Sequence, residues 1–311
     1  MSLTAFTPPA PSPTSEGKTE TWMWRGFPIC YHVQGAYGAA VLFVHGFGAS
    51  WGHWRKNIPA LATHCRCYAI DLIGFGGSAK PSPNKQISYT FETWGQQIAD
   101  FCRQVIGSPV FLVGNSIGCI AAMQAAVDNP DIAAGVVLIN CSLRLLHERK
   151  LANMSLARRI GAPLLQNLLA IKWIGSFFFK QIAQPNAVRK ILLQAYKRTE
   201  AVTDELIDMI MAPALEPGAT DVFIAFTRYS QGPLPEDLLP LLSCPALMIW
   251  GAEDPWEPIA LGKELAKFPA VQKFIPLEGV GHCPQDEAPE LVNPILLEWI
   301  LGFTEKTTHA D

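Results

Sequence analysis

Four apolar runs of strand length, at residues 39–44, 109–113, 135–139 and 245–250, constrain this chain more than any other feature. Runs of five or six residues without a charge are expected of strands buried on both faces, which is the condition of a parallel sheet. Between and around them lie segments of helical periodicity at 51–61, 91–105, 119–127, 258–266 and 289–301, and shorter strand-like runs at 67–70 and 271–276. Residues 21–34 read as a hairpin turning at Gly26. Alternation of strand and helix requires right-handed crossovers, so the expected fold class is α/β, a mostly parallel twisted sheet with helices on both faces. The alternation stops between 142 and 231, where helical periodicity continues without a strand, and a helical insertion is expected there.

The expected organisation is therefore an α/β core at 21–141 and 232–304, a helical cap at 142–231, and tails at 1–20 and 305–311. The N-terminal tail carries Pro8, Pro9, Pro11 and Pro13 among serines and threonines and is expected to be disordered. It lacks the basic start and apolar centre of a secretory signal, and no run approaches the roughly 20 apolar residues that span a bilayer. Hydrophobic residues make up 49% of the 311, which is enough for a large core, and the net charge of −3 gives no reason to expect a nucleic-acid partner. Eight cysteines are scattered without a Cys-x-x-Cys pair or a metal-ligand spacing, so reduced thiols, a cytoplasmic setting and no metal are expected.

Ligands of open parallel sheets gather at the carboxyl ends of the strands. The run at 39–44 delivers His45-Gly46-Phe47-Gly48 there, and the run at 109–113 delivers Gly114-Asn115-Ser116-Ile117-Gly118. The run at 245–250 is followed by Asp254, and the last strand by Gly281-His282. A serine, an acid and a histidine thus reach one rim in that chain order. A serine hydroxyl needs a base to become a nucleophile, histidine titrates near neutrality, and a carboxylate fixes the imidazole tautomer. Ser116, His282 and Asp254 are the catalytic candidates. Asp71 and Asp286 compete for the acid role, but the first sits in a glycine-rich turn and the second opens the last helix. An acyl intermediate also needs donors for its oxyanion, for which the backbone N–H groups of Ile117 and Phe47 are placed. No cofactor is required.

These motifs, with Asp71-x-x-Gly74-x-Gly76-x-Ser78 and Gly251-x-x-Asp254-x-x-x-Pro258, resemble the α/β-hydrolase superfamily over most of the chain. The resemblance implies that the insertion is a cap over the active site. Haloalkane dehalogenases and epoxide hydrolases look similar but carry an aspartate nucleophile where this chain has Ser116. The Gly-Asn-Ser start of the elbow is also similar to carbon–carbon bond hydrolases, which favour a tryptophan where Cys283 stands. The stretches 45–55 and 281–290 look most like the pheophytinase-like and chlorophyll dephytylase-like group, which implies a phytyl ester as substrate. Cys119, where many relatives carry glycine, is expected to loosen the packing of helix on strand. Three readings stay open: hydrolysis of an ester with a bulky apolar part, carbon–carbon hydrolysis of a diketone-like substrate, and a quiet ligand-binding protein.

Between Cys141 and Glu200 eleven basic residues face only two acids, Glu148 and Glu200. The same stretch holds Leu164-Leu165, Leu168-Leu169 and Trp173-Ile-Gly-Ser-Phe177-Phe178-Phe179. A basic, aromatic-bearing helical pair suits an anionic membrane surface, the wall of an apolar pocket, or simply a cap packed onto the core through Phe177, Phe178 and Phe179 with its charges in water. His45, Asn115, Trp173, Phe177 and Phe178 are accordingly the candidates for lining the substrate pocket.

Overall fold

The computed structural model describes residues 16–152 and 156–308. Its eight strands are β1 (Lys18–Trp24), β2 (Phe27–Gln34), β3 (Ala39–Val44), β4 (Cys65–Ile70), β5 (Val110–Asn115), β6 (Ala133–Ile139), β7 (Ala246–Gly251) and β8 (Val271–Leu277). They form one sheet in the order β1-β2-β4-β3-β5-β6-β7-β8. From β4 onward every pairing is parallel, while β2 runs antiparallel to both β1 and β4. The α/β class is the observed one.

Period-two alternation divides each central strand between two cores. Leu42, Val44 and Leu112 face the layer that contains Trp94, Ile98 and Ile120, from helices Phe91–Phe101 and Ile117–Asp128. Val41, Phe43 and Val113 face the opposite layer, with Ile58, Leu61, Val292 and Leu296. The apolar runs are continuous because both faces are covered.

Two boundaries differ from the sequence expectation. Lys18, Thr19 and Glu20, expected in the tail, already pair with Val33, His32 and Tyr31. Their exposed side chains carry no apolar alternation, so only the backbone ladder of this edge strand defines it. At the other end the helix Pro289–Thr308 runs through 305–308, which were expected to be tail. The rest of the expected N-terminal tail, 1–15, and residues 309–311 lie outside the described residues. The segment 51–61 splits into a 3-10 turn, Trp51–Trp54, and a short helix, Ile58–Leu61, because Pro59 at the helix start has no N–H to continue a single ladder.

Between β6 and β7 the described residues hold helices Leu156–Leu169, Lys172–Ile182, Pro185–Ala195, Asp204–Ala214 and Ala219–Thr227, and no strand. Arg144 fastens the base of this insertion. Its guanidinium donates to the carbonyls of Pro233 (2.6 Å), Gln231 (2.6 Å) and Tyr229 (3.1 Å), and it lies over the rings of Phe91 and Tyr229.

Candidate active site

β3 pairs with β4 on one side and β5 on the other, so the loops leaving β3 and β5 flank a topological switch point. Ser116 stands there, at the turn from β5 into the helix Ile117–Asp128, with φ 54° and ψ −121°. A non-glycine residue in such a conformation costs on the order of 1–3 kcal/mol and persists only when its surroundings over-determine it. They do: the Ser116 N–H donates to the Ile139 carbonyl (3.1 Å), and its own carbonyl accepts from Cys119 (3.1 Å) and Ser142 (3.2 Å). The flanking glycines allow the close approach. A Cβ on Gly118 would collide with the Val44 carbonyl, and one on Gly114 would lie 2.6 Å from the Cys119 nitrogen. Cys119 itself does not loosen this packing. It is fully buried and its thiol lies 3.1 Å from the Gly114 carbonyl oxygen.

His282 follows β8, and its Nδ1–H donates to Asp254 Oδ2 over 2.7 Å. The same oxygen accepts from the amide of Asn140 (2.6 Å), and Oδ1 accepts from the backbone N–H groups of Trp256 (2.8 Å) and Glu257 (3.1 Å). Burial opposes ionisation of Asp254. The hydrogen bond and charge of His282, with the Asn140 and Glu257 donors, outweigh it and hold the carboxyl below its usual range. Because Asp254 fixes the proton on Nδ1, Nε2 of the neutral ring carries the lone pair.

The two competing acids are committed elsewhere. Asp71 accepts from the N–H groups of Trp51 and Gly77 and closes its own turn. Asp286 accepts from Arg55 (2.7 Å) and from the Tyr196 hydroxyl (3.0 Å), and Lys56 lies 3.1 Å away.

Ser116 and His282 border a cavity of about 430 Å³ whose other walls come from the helical insertion: Phe179, Ile182, Val188, Leu192 and Phe223. A second cavity of about 510 Å³ lies beside Ile117, Arg144, Leu165 and Leu169. Phe47, Phe226, Trp256 and Glu257 border both. Trp256 also packs on the His282 ring, centroids 4.9 Å apart. The turn bearing Phe47 touches the elbow directly, since a Cβ on Gly46 would come within 3.3 Å of Ser116 Cβ.

Four pocket expectations need correction. His45 is fully buried and borders neither cavity; its Nδ1–H donates to the Gly46 carbonyl (2.7 Å) and its Nε2 accepts from the Leu72 N–H (3.0 Å). Both ring nitrogens are spent on pinning the loop. Trp173, Phe177 and Phe178 are 73%, 65% and 41% exposed and border neither cavity. Of the Phe-Phe-Phe run it is Phe179 that borders the first cavity, 5.1 Å from Phe223, while Phe178 stacks on the same ring from 6.2 Å without reaching the cavity. Asn115 does border the first cavity, but its amide donates to the carbonyls of His282 and Ile139 (3.2 Å each), so it joins the elbow to the histidine loop.

The sequence brings Asn140 to the same rim without giving it a role, and it gives no sign of Glu257 or His53. Glu257 is buried where the cavities meet and accepts from the Leu143 N–H (2.9 Å). Burial pushes its carboxyl up to about 7, against the opposing pull of that N–H and of His282. His53, on the wall of the first cavity, shares a 2.8 Å hydrogen bond with the Tyr196 hydroxyl, and burial lowers it to about 4. The Asn140 signal was present, because it is the polar residue that ends an apolar strand.

This sheet, its elbow and the helices inserted after β6 define an α/β-fold hydrolase. The chain belongs to the α/β hydrolase family, whose model matches residues 41–295. Among curated relatives it is 27% identical to the chloroplastic pheophytinase of Arabidopsis thaliana, over 84% of this chain and 61% of that one. The chain thus spans less than two thirds of that relative. It is also 27% identical to the uncharacterized hydrolase YugF of Bacillus subtilis, over 86% of this chain and 92% of that protein. A thermophilic esterase from Thermogutta terrifontis superposes with a TM-score of 0.72 at 23% identity, covering 92% of this chain and 99% of its own, a likeness of fold.

Proposed function

We propose that the protein is a serine hydrolase that cleaves a carboxylic ester with a bulky apolar part. One observation carries this reading: a serine held at φ 54° on the wall of an apolar cavity, beside a histidine whose far nitrogen is fixed by a buried aspartate. Ser116 Oγ attacks the ester carbonyl carbon while its proton passes to His282 Nε2. The Phe47 and Ile117 N–H groups hold the oxyanion of the tetrahedral intermediate. That intermediate collapses by breaking the carbon–oxygen bond to the alcohol, which leaves with the proton from His282. Water then attacks the acyl-enzyme by the same route in reverse, with His282 first as base and then as acid. Asp254 keeps the imidazole in the required tautomer throughout.

Two cavities that meet beside the nucleophile suit an ester whose acyl and alcohol parts are both large. Their walls are mainly aromatic and aliphatic, as expected for a hydrocarbon alcohol. The pheophytinase relative makes phytol the sharpest choice of alcohol. A fluorophosphonate probe tests the chemistry: the folded wild type labels and Ser116→Ala does not. Failure of the wild type to label would overturn the hydrolase reading. Release of phytol from pheophytin, beside p-nitrophenyl esters of rising chain length, tests the substrate.

A further inference from the structure

The two helices that supply cavity walls from within present a different face outward. Arg159–Leu169 and Lys172–Ile182 meet at a bend of 96°. On the first, Ile160, Leu164 and Leu168 follow at intervals of four and are 60%, 57% and 42% exposed. On the second, Trp173 and Phe177 repeat the same interval at 73% and 65%. An apolar ridge this extended is unusual on a surface that meets only water.

Its charge is one-sided. No acid occurs in the sequence between Glu148 and Glu200, while Arg159, Lys172 and Lys180 flank the ridge and are exposed. Lys172 reaches one acid, Asp221 (3.1 Å); among the described residues no ion pair engages Arg159 or Lys180. A protein surface as partner would have to match a bent apolar edge. A bilayer rich in anionic lipid needs no such match, since it accepts aromatic side chains at the headgroup boundary and attracts the flanking cations.

The ridge is also continuous with the cavities. Leu165 and Leu169 turn from the first helix into the 510 Å³ cavity, and Phe179 and Ile182 from the second into the 430 Å³ cavity. We propose that this bent helix pair is a docking surface for anionic lipid bilayers, seated through Trp173, Phe177, Ile160 and Leu164 and steered by Arg159, Lys172 and Lys180. An apolar substrate dissolved in the bilayer then passes into the cavities without crossing water. That last step rests on the ester-hydrolase reading, whereas the docking does not.

Sedimentation of the full chain with phosphatidylcholine vesicles, with and without 30% phosphatidylglycerol, tests the surface. Binding is expected with the anionic vesicles, falling at least tenfold in 0.5 M salt. The pairs Trp173→Ser with Phe177→Ser, and Lys172→Glu with Lys180→Glu, are each expected to weaken it at least tenfold. Both variants should hydrolyse a short, soluble p-nitrophenyl ester at the wild-type rate, which separates docking from chemistry and from misfolding. Absence of vesicle binding at low salt overturns the proposal. So does unchanged binding by both variants, or a solution dimer that the Trp173→Ser, Phe177→Ser pair disperses.

Discussion

The backbone N–H of His282 donates to the carbonyl of Ala195 over 2.8 Å, so the last residue of an insertion helix holds the loop of the candidate base. A helix that walls the cavity beside Ser116 therefore also positions the imidazole. Gly281 makes the contact possible, because a Cβ there would collide with that same carbonyl and lie 2.8 Å from the Lys197 nitrogen. Gly281→Ala must push the two segments apart. Displacement of the base by an ångström costs about 100-fold in turnover. The expected result is a loss of kcat on that order with far-UV circular dichroism unchanged. Near wild-type kcat would show that the helix does not set the histidine position.

Asp254→Asn tests the tautomer argument. Four donors converge on this carboxylate: His282, Asn140 and the N–H groups of Trp256 and Glu257. An amide can turn only one oxygen to them, and its NH2 then faces donors. The imidazole escapes the clash by moving its proton to Nε2, which removes the lone pair that the serine proton needs. A fall in kcat of about 10⁴ is expected, the size known for the corresponding change in a serine protease triad. Fluorophosphonate labelling should slow in parallel.

How much of this was legible in the sequence follows from what each signal depends on. The central strands were legible because burial on both faces writes an unbroken apolar run. Lys18–Glu20 was not, since an exposed edge strand is defined by its partner's backbone. Ser116, Asp254 and His282 could be found because each follows a strand, and a parallel sheet brings all such ends to one rim. The pocket walls could not be found so simply. Trp173, Phe177 and Phe178 satisfy the composition of an apolar wall, but which face of a helix turns inward depends on the surface beneath it, here Phe223. His45 looked chemically able, yet its two nitrogens meet backbone groups that only the fold brings near.

A buried polar chain joins the insertion to the core and is open to test by stability. The Tyr196 hydroxyl donates to Asp286 and so accepts from His53 Nε2–H, while Arg55 and Lys56 hold the other oxygen of Asp286. Tyr196→Phe leaves His53 Nε2–H without its acceptor and Asp286 without one of its donors. A buried group deprived of its partner costs about 1–3 kcal/mol. Urea unfolding should show a loss in that range. A change within error would mean that water replaces the hydroxyl at no cost.

Glu257 gives the protein a pH dependence of definite sign. Burial raises its carboxyl from 4.5 to about 7 in the folded protein, while in the unfolded chain it stays near 4.5. Between those values the folded state keeps a proton that the unfolded state has lost. Stability from this site therefore falls as pH rises from about 4.5 to about 7 and is flat above, by about 3 kcal/mol in all. Glu257→Gln keeps the shape and a donor but cannot ionise, so its stability relative to wild type should grow over that interval. Asp71, raised from 3.8 to about 6 by burial, acts in the same direction but is common to both proteins and cancels in the comparison. Urea midpoints at pH 5 and pH 8 provide the measurement. A difference between the two proteins that does not change with pH would place the Glu257 carboxyl in a solvated, ordinary state.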